Sequence, residues 1–131
     1  MGVEETRKRL MGKFKAETDT HLLSIQNLLT ELKKEPANED HIKEIFRNAH
    51  TIRGGAHMMN LLEITSIAQQ METIFEAMRD DGFQLSTEAN DLLFKATKNI
   101  TTMIEAAVKG EKAVGLNVAD VNKKLSQVLA L

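Results

Sequence analysis

The chain has 131 residues, enough for one domain with a sizeable core, and 42% of them are hydrophobic against 27% charged. That balance excludes a disordered chain, and a net charge of -2 argues against a nucleic-acid partner. Cysteine is absent, which excludes disulfides, thiolate chemistry and cysteine-based zinc sites.

The apolar supply is Leu, Ile, Met and Ala, with no Trp or Tyr and one proline, which favours helices over strands. A first helix is predicted from about Glu4 to Lys34, because Leu10, Phe14, Leu22, Ile25, Leu29 and Leu32 recur at helical spacing. Its basic run, Arg7-Lys8-Arg9, reads as a solvated face. Pro36 ends it, since proline disfavours helical geometry in the residue before it. Asn38 is a good N-cap for a second helix, with Glu39 and Asp40 at its positive end. That helix runs to about Met59 and buries Ile42, Ile45, Ala49, Ile52, Ala56 and Met59.

A third helix is predicted from about Leu61, with the stripe Ile64, Ile67, Ala68, Met71, Ile74, Phe75 and Met78, and Gly82 stops it. Ser86 caps a fourth, whose stripe is Ala89, Leu93, Ala96, Ile100, Met103, Ile104 and Ala107, ending at Gly110. A short fifth helix starts near Asn117, with Val121, Leu125 and Val128 on one face. The connections are short, so successive helices are antiparallel neighbours. The fold class is therefore all-α: an antiparallel up-down four-helix bundle over residues 4–110, with an additional C-terminal helix. Residues 111–131 form the linker and that helix, packed on or beside the bundle. No signal peptide and no apolar run of spanning length is visible, so a soluble, cytoplasmic protein outside the membrane is expected. Four mutually buried stripes also make a monomer the expected state.

One stretch, His50-Thr51-Ile52-Arg53-Gly54-Gly55-Ala56-His57, is at odds with a plain helix. Each glycine inside a helix costs about 1 kcal/mol relative to alanine, so an adjacent pair asks for a reason. At about 100° per residue, His50 lies roughly 120° from the centre of the second helix's apolar stripe, open to water on one side. Arg53, Gly54 and His57 share its face at i+3, i+4 and i+7. A bare patch at Gly54 lets a partner's backbone come down onto the imidazole. A neutral imidazole is a nucleophile through one ring nitrogen when the other is held as a donor, and Arg53 can balance a phosphoryl group placed on it.

The segment "IFRNAHTIRGGAHMMNLLEITSIAQQME" resembles the histidine-containing phosphotransfer (HPt) domain, most closely the N-terminal one of CheA-type chemotaxis histidine kinases. The likeness rests on Ala49-His50-Thr51-Ile52-Arg53-Gly54-Gly55-Ala56, on Ile45-Phe46-Arg47 upstream, and on the order of the helices. It implies that His50 is the phosphoryl acceptor, through Nε2, and that Glu72 on the next helix orients the imidazole. Arg53 stands where the family has lysine, and Gln69 where that group often has a second histidine. His57 and Met58 replace a small, glycine-rich stretch. The resemblance implies a docking surface around His50 that includes Gly54, Gly55, His57, Met58 and Gln69.

It also implies two partners: a histidine kinase catalytic domain that loads His50, and a response-regulator receiver domain that unloads it. No cofactor belongs to this chain; ATP and Mg²⁺ sit on the partner domains, since no Gly-rich loop with Lys-Ser/Thr and no kinase motif set is present. Two alternatives stand beside this reading. One is a degenerate bundle that docks signalling proteins without accepting phosphate. The other is a metal bundle, for which Glu39-Asp40-His41 and His50…His57 do not supply the Glu-x-x-His pairs required.

Overall fold

The structure, a computed structural model, describes residues 2–130. Leu131, the last residue of the expected C-terminal segment, lies outside the described residues. Among the described residues five helices follow one another: α1 Val3–Lys34, α2 Glu39–Met58, α3 Leu62–Asp81, α4 Thr87–Val108 and α5 Val118–Gln127.

The helix ends sit where local chemistry puts them. Asn38 accepts the His41 backbone N–H at 3.0 Å, and Ser86 accepts that of Ala89 at 3.0 Å. Glu4 and Glu5 lie in the first turn of α1 and Lys33 and Lys34 in its last, each complementing the helix dipole. Two helices end in the same wrap. Beyond α2, Leu61 N–H donates to Ala56 O at 2.9 Å and Asn60 N–H to His57 O at 3.0 Å, with Asn60 left-handed at φ 59°. Beyond α4, Glu111 N–H donates to Ala106 O and Gly110 N–H to Ala107 O, with Gly110 at φ 72°. The wrap after α2 makes the α2–α3 connection short and stiff, and the candidate site lies along that pair.

The helices pack in a ring: α1 against α2 and α4, α2 against α3. The α3–α4 seam is the most open of the four, and α5 packs against both of its helices through Val121 and Leu125. Ile25, Leu29, Ile45, Ala49, Ile67, Met71, Phe75, Leu93 and Ile100 are fully buried at the centre. Polar ties set the register between neighbours. Asn90 Nδ2 donates to Leu29 O at 2.8 Å, and Gln26 Nε2 to Thr97 Oγ1 at 3.0 Å, both joining α4 to α1. Such buried groups are costly unless bonded, so each pins one relative height of the two helices.

One expected core position is corrected. Leu10 is 44% exposed, and Met11 takes its place at 4%. α1 has 32 residues against 20 in α2, so its first turns run past the end of its partner and only one side of them is covered. Met59, Met103, Ala107 and Val128 pack against the core but are only half-buried.

Candidate functional site

α2 and α3 bring three sequence-predicted side chains together. His50 Nδ1 lies 2.8 Å from Glu72 Oε2, and Arg53 Nε donates to the same oxygen at 3.0 Å. Arg53 and His50 are one turn apart on α2, which puts both on the face turned to α3. Exposure falls inward along the group: 58% for the His50 side chain, 35% for Arg53 and 15% for Glu72. The carboxylate is thus the buried anchor and the imidazole the open end.

The hydrogen bonds assign the tautomer. An ionised carboxylate only accepts, so His50 Nδ1 carries the proton and donates. Arg53 Nη2 stands 3.4 Å from the same Nδ1, but both are donors, and that approach is a neighbour contact. With Nδ1 protonated, Nε2 is the ring nitrogen left with an unshared pair, on a side chain more than half exposed.

A second layer was not anticipated. Phe46, one turn before His50 on α2, lies parallel to the imidazole, with 6.1 Å between ring centroids and 18° between planes. Arg79, two turns beyond Glu72 on α3, places its guanidinium 4.2 Å from the Phe46 ring centroid. Arg79 is in turn held by Asp80, through Nε to Oδ1 at 2.8 Å and Nη2 to Oδ2 at 3.1 Å. Phe46 was visible in the motif, and its i−4 spacing from His50 was the signal for stacking. Arg79 carried no such signal, because its role depends on the register between two helices.

The two glycines differ. Nothing lies within 4 Å of where a Cβ on Gly54 would sit, and the residue is exposed. A Cβ on Gly55 would meet Phe14 Cε1 of α1 at 3.1 Å. Gly55 is therefore set against α1, close to Phe14. Gly54 alone leaves the ridge beside His50 bare. His57 and Met58 are exposed in the last turn of α2, Met58 at 86%, and Gln69 is exposed on α3 one turn before Glu72, outside the hydrogen bonds of the triad. Among the described residues, no group of three or more His, Asp or Glu is placed to hold a metal ion, and no helix is long and apolar enough to cross a membrane.

An exposed imidazole on a helix face, oriented by a carboxylate from the next helix of a four-helix bundle, defines a class: domains that carry a phosphoryl group on histidine. The chain belongs to the Hpt domain family, whose model matches residues 9–110. Among its relatives is the chemotaxis protein CheA of Borreliella burgdorferi, 30% identical over 95% of this chain and 14% of the relative. The CheA phosphotransferase domain from Thermotoga maritima is similar in structure, with a TM-score of 0.73, 28% identity, and coverage of 77% of this chain and 96% of that one. The phosphorylated P1 domain of CheA3 from R. sphaeroides, solved in complex with CheY6, shares the fold at a TM-score of 0.84, with 19% identity over 94% of this chain and 97% of the other. The chain spans no more than about a fifth of the length of the curated relatives it matches, 19% at most.

Proposed function

We propose that the chain is the histidine phosphotransfer module of a chemotaxis-like two-component system. His50 accepts a phosphoryl group from an ATP-dependent kinase domain and passes it to an aspartate of a response-regulator receiver domain. The observation that carries this reading is the 2.8 Å bond from His50 Nδ1 to Glu72 on an otherwise open imidazole. The likeness to CheA phosphotransfer domains supports the partners, and ATP and Mg²⁺ belong to them.

The step balances on the residues in place. The Nε2 lone pair forms the N–P bond as the bond from phosphorus to the ADP oxygen breaks. Nδ1 keeps its proton, still donated to Glu72, so the positive charge the ring gains faces a carboxylate. Arg53 uses Nε on Glu72, which leaves its Nη donors for the phosphoryl oxygens. On the return step the N–P bond breaks toward the aspartate oxygen and the ring recovers its lone pair. Gly54 leaves the approach clear for both partners.

The test is incubation with a CheA-type kinase core, ATP and Mg²⁺, followed by mapping of the label. Acid-labile, base-stable phosphate is expected at His50, and none on a His50→Gln variant. Full labelling of that variant rejects the assignment. Partner binding that is the same with and without His50, in a chain that never labels, means a docking bundle instead.

A further inference from the structure

We infer that Phe46 is a positioning residue for the phosphoryl acceptor, setting the plane of the His50 imidazole, and that Arg79 buttresses it. The inference rests on the phosphotransfer reading of His50. The imidazole is tied covalently at Cγ and bonded at Nδ1 to Glu72. Coupled changes in χ1 and χ2, absorbed by the length and angle of that one hydrogen bond, can still tilt the ring and move Nε2. The histidine ring torsion is broad by nature and does not stop this.

Phe46 supplies the missing restraint. Its ring lies within 18° of parallel to the imidazole at 6.1 Å between centroids, inside the range of offset-stacked aromatic pairs. A ring that tilts away from this plane loses that contact. Glu72 therefore decides which edge of the imidazole faces inward, and Phe46 decides the plane in which Nε2 points out.

Phe46 is itself half-buried, and its outer part is covered by Arg79 at 4.2 Å, in the range of a cation–π contact. The hydrogen bonds to Asp80 hold the guanidinium in place. They also raise the Arg79 pKa above its ordinary value and lower that of Asp80, so both partners stay charged across the working pH range. Glu72 and Arg79 lie seven residues apart on α3 and meet His50 and Phe46, four apart on α2. The two helices thus clasp the acceptor through two adjacent layers.

The experiment separates orientation from docking and from packing. Phe46→Leu keeps apolar bulk and removes the ring; Phe46→Tyr keeps the ring. Labelling is followed with phosphoramidate, a small donor from which the N–P bond to His50 forms as ammonia leaves, and with the kinase core and ATP. The His50 ring protons are followed by NMR. Phe46→Leu should remove the ring-current displacement of those protons and slow phosphoramidate labelling about tenfold, with a similar loss in kcat at unchanged KM in the kinase assay. Phe46→Tyr should restore the rate to within about twofold, and Arg79→Gln should lose about threefold, with Arg79→Lys between it and the wild type.

The inference is overturned if Phe46→Leu labels as fast as the wild type with phosphoramidate. It is equally overturned if the loss appears only as a higher KM, or if Phe46→Tyr is as slow as Phe46→Leu. Should Phe46→Leu fail to fold by circular dichroism, the Phe46→Tyr and Arg79→Gln rates decide. A wild-type chain whose label maps away from His50 sinks the phosphotransfer reading itself, a result distinct from any of these.

Discussion

His21 and His50 begin alike. Each holds Nδ1 2.8 Å from a side-chain oxygen on the neighbouring helix, Asn48 Oδ1 for His21 and Glu72 Oε2 for His50. The Asn48 amide is oriented without ambiguity, because its Nδ2 donates to Ser24 Oγ and to Glu44 O, both at 3.0 Å. Its oxygen must therefore accept from His21, and His21 takes the same tautomer as His50. From there the two sites diverge. His21 faces a neutral amide and is half-buried; His50 faces a carboxylate backed by Arg53 and is largely open. An oriented imidazole is thus common to both regions. The His50 site, the proposed phosphoryl acceptor, differs in having a counter-charge behind the ring and open space before it. The α1–α2 site uses the same hydrogen bond to lock two helices together.

Glu72→Gln breaks this comparison at its sharpest point, since it turns the His50 site into a copy of the His21 site. The amide oxygen can still accept from Nδ1, so orientation is kept while the counter-charge goes. The amide keeps a neutral hydrogen bond of about 0.5–1.5 kcal/mol where the carboxylate contributes about 1.5–3, so the loss is about 1–1.5 kcal/mol. At about 1.4 kcal/mol per decade, labelling of His50 should slow roughly fivefold to tenfold. Circular dichroism should barely move, because the amide keeps the shape of the carboxylate and an oxygen to accept from His50 and Arg53. Labelling at the wild-type rate would mean that orientation alone suffices.

Asn48→Ala probes the other member of the pair. It strips His21 Nδ1 and Ser24 Oγ of a buried partner and leaves the Glu44 carbonyl with one bond fewer. The cost should be about 1–3 kcal/mol in stability, read by urea or thermal unfolding. The labelling rate of His50 on the folded fraction should be unchanged. A large loss of labelling at constant folded fraction would show that the α1–α2 lock reaches the acceptor, and the two histidines could no longer be treated as separate devices.

Much of this was legible in the sequence, for physical reasons that differ by residue. Asn38, Ser86, Gly82 and Gly110 announced helix ends because capping chemistry is local. The stripe of α3 was read in full, since every member faces the same side of one short helix and is buried. Leu10 misled because periodicity gives the face of a helix and not how far its neighbours extend along it. Glu72 was placed by resemblance. Phe46 stacking was open to reading from its spacing four residues before His50 on α2, whereas the Arg79 contact was not, because it depends on the register between α2 and α3, which no spacing within one helix encodes. The pair Gly54-Gly55 was read as one feature when it has two causes.

Those two causes give the smallest and most local of the expected effects. In an exposed helix interior with nothing near the new methyl, Gly54→Ala should stabilise the chain by about 1 kcal/mol through propensity alone. Gly55→Ala gains the same propensity but places its methyl 3.1 Å from Phe14 Cε1 and 3.3 Å from Cδ1. Phe14 is 7% exposed and has little room to retreat, so overpacking of about 1–3 kcal/mol cancels or reverses the gain. Gly54→Ala should therefore be the more stable variant by about 1 kcal/mol or more in matched urea melts. Function should run the opposite way, for Gly54→Ala puts a methyl on the ridge where partners approach, raising KM for the kinase core, while Gly55→Ala leaves that ridge bare. Two variants with the same stability and the same KM would return the glycines to a single explanation, simple tolerance of poor helix formers in a long helix.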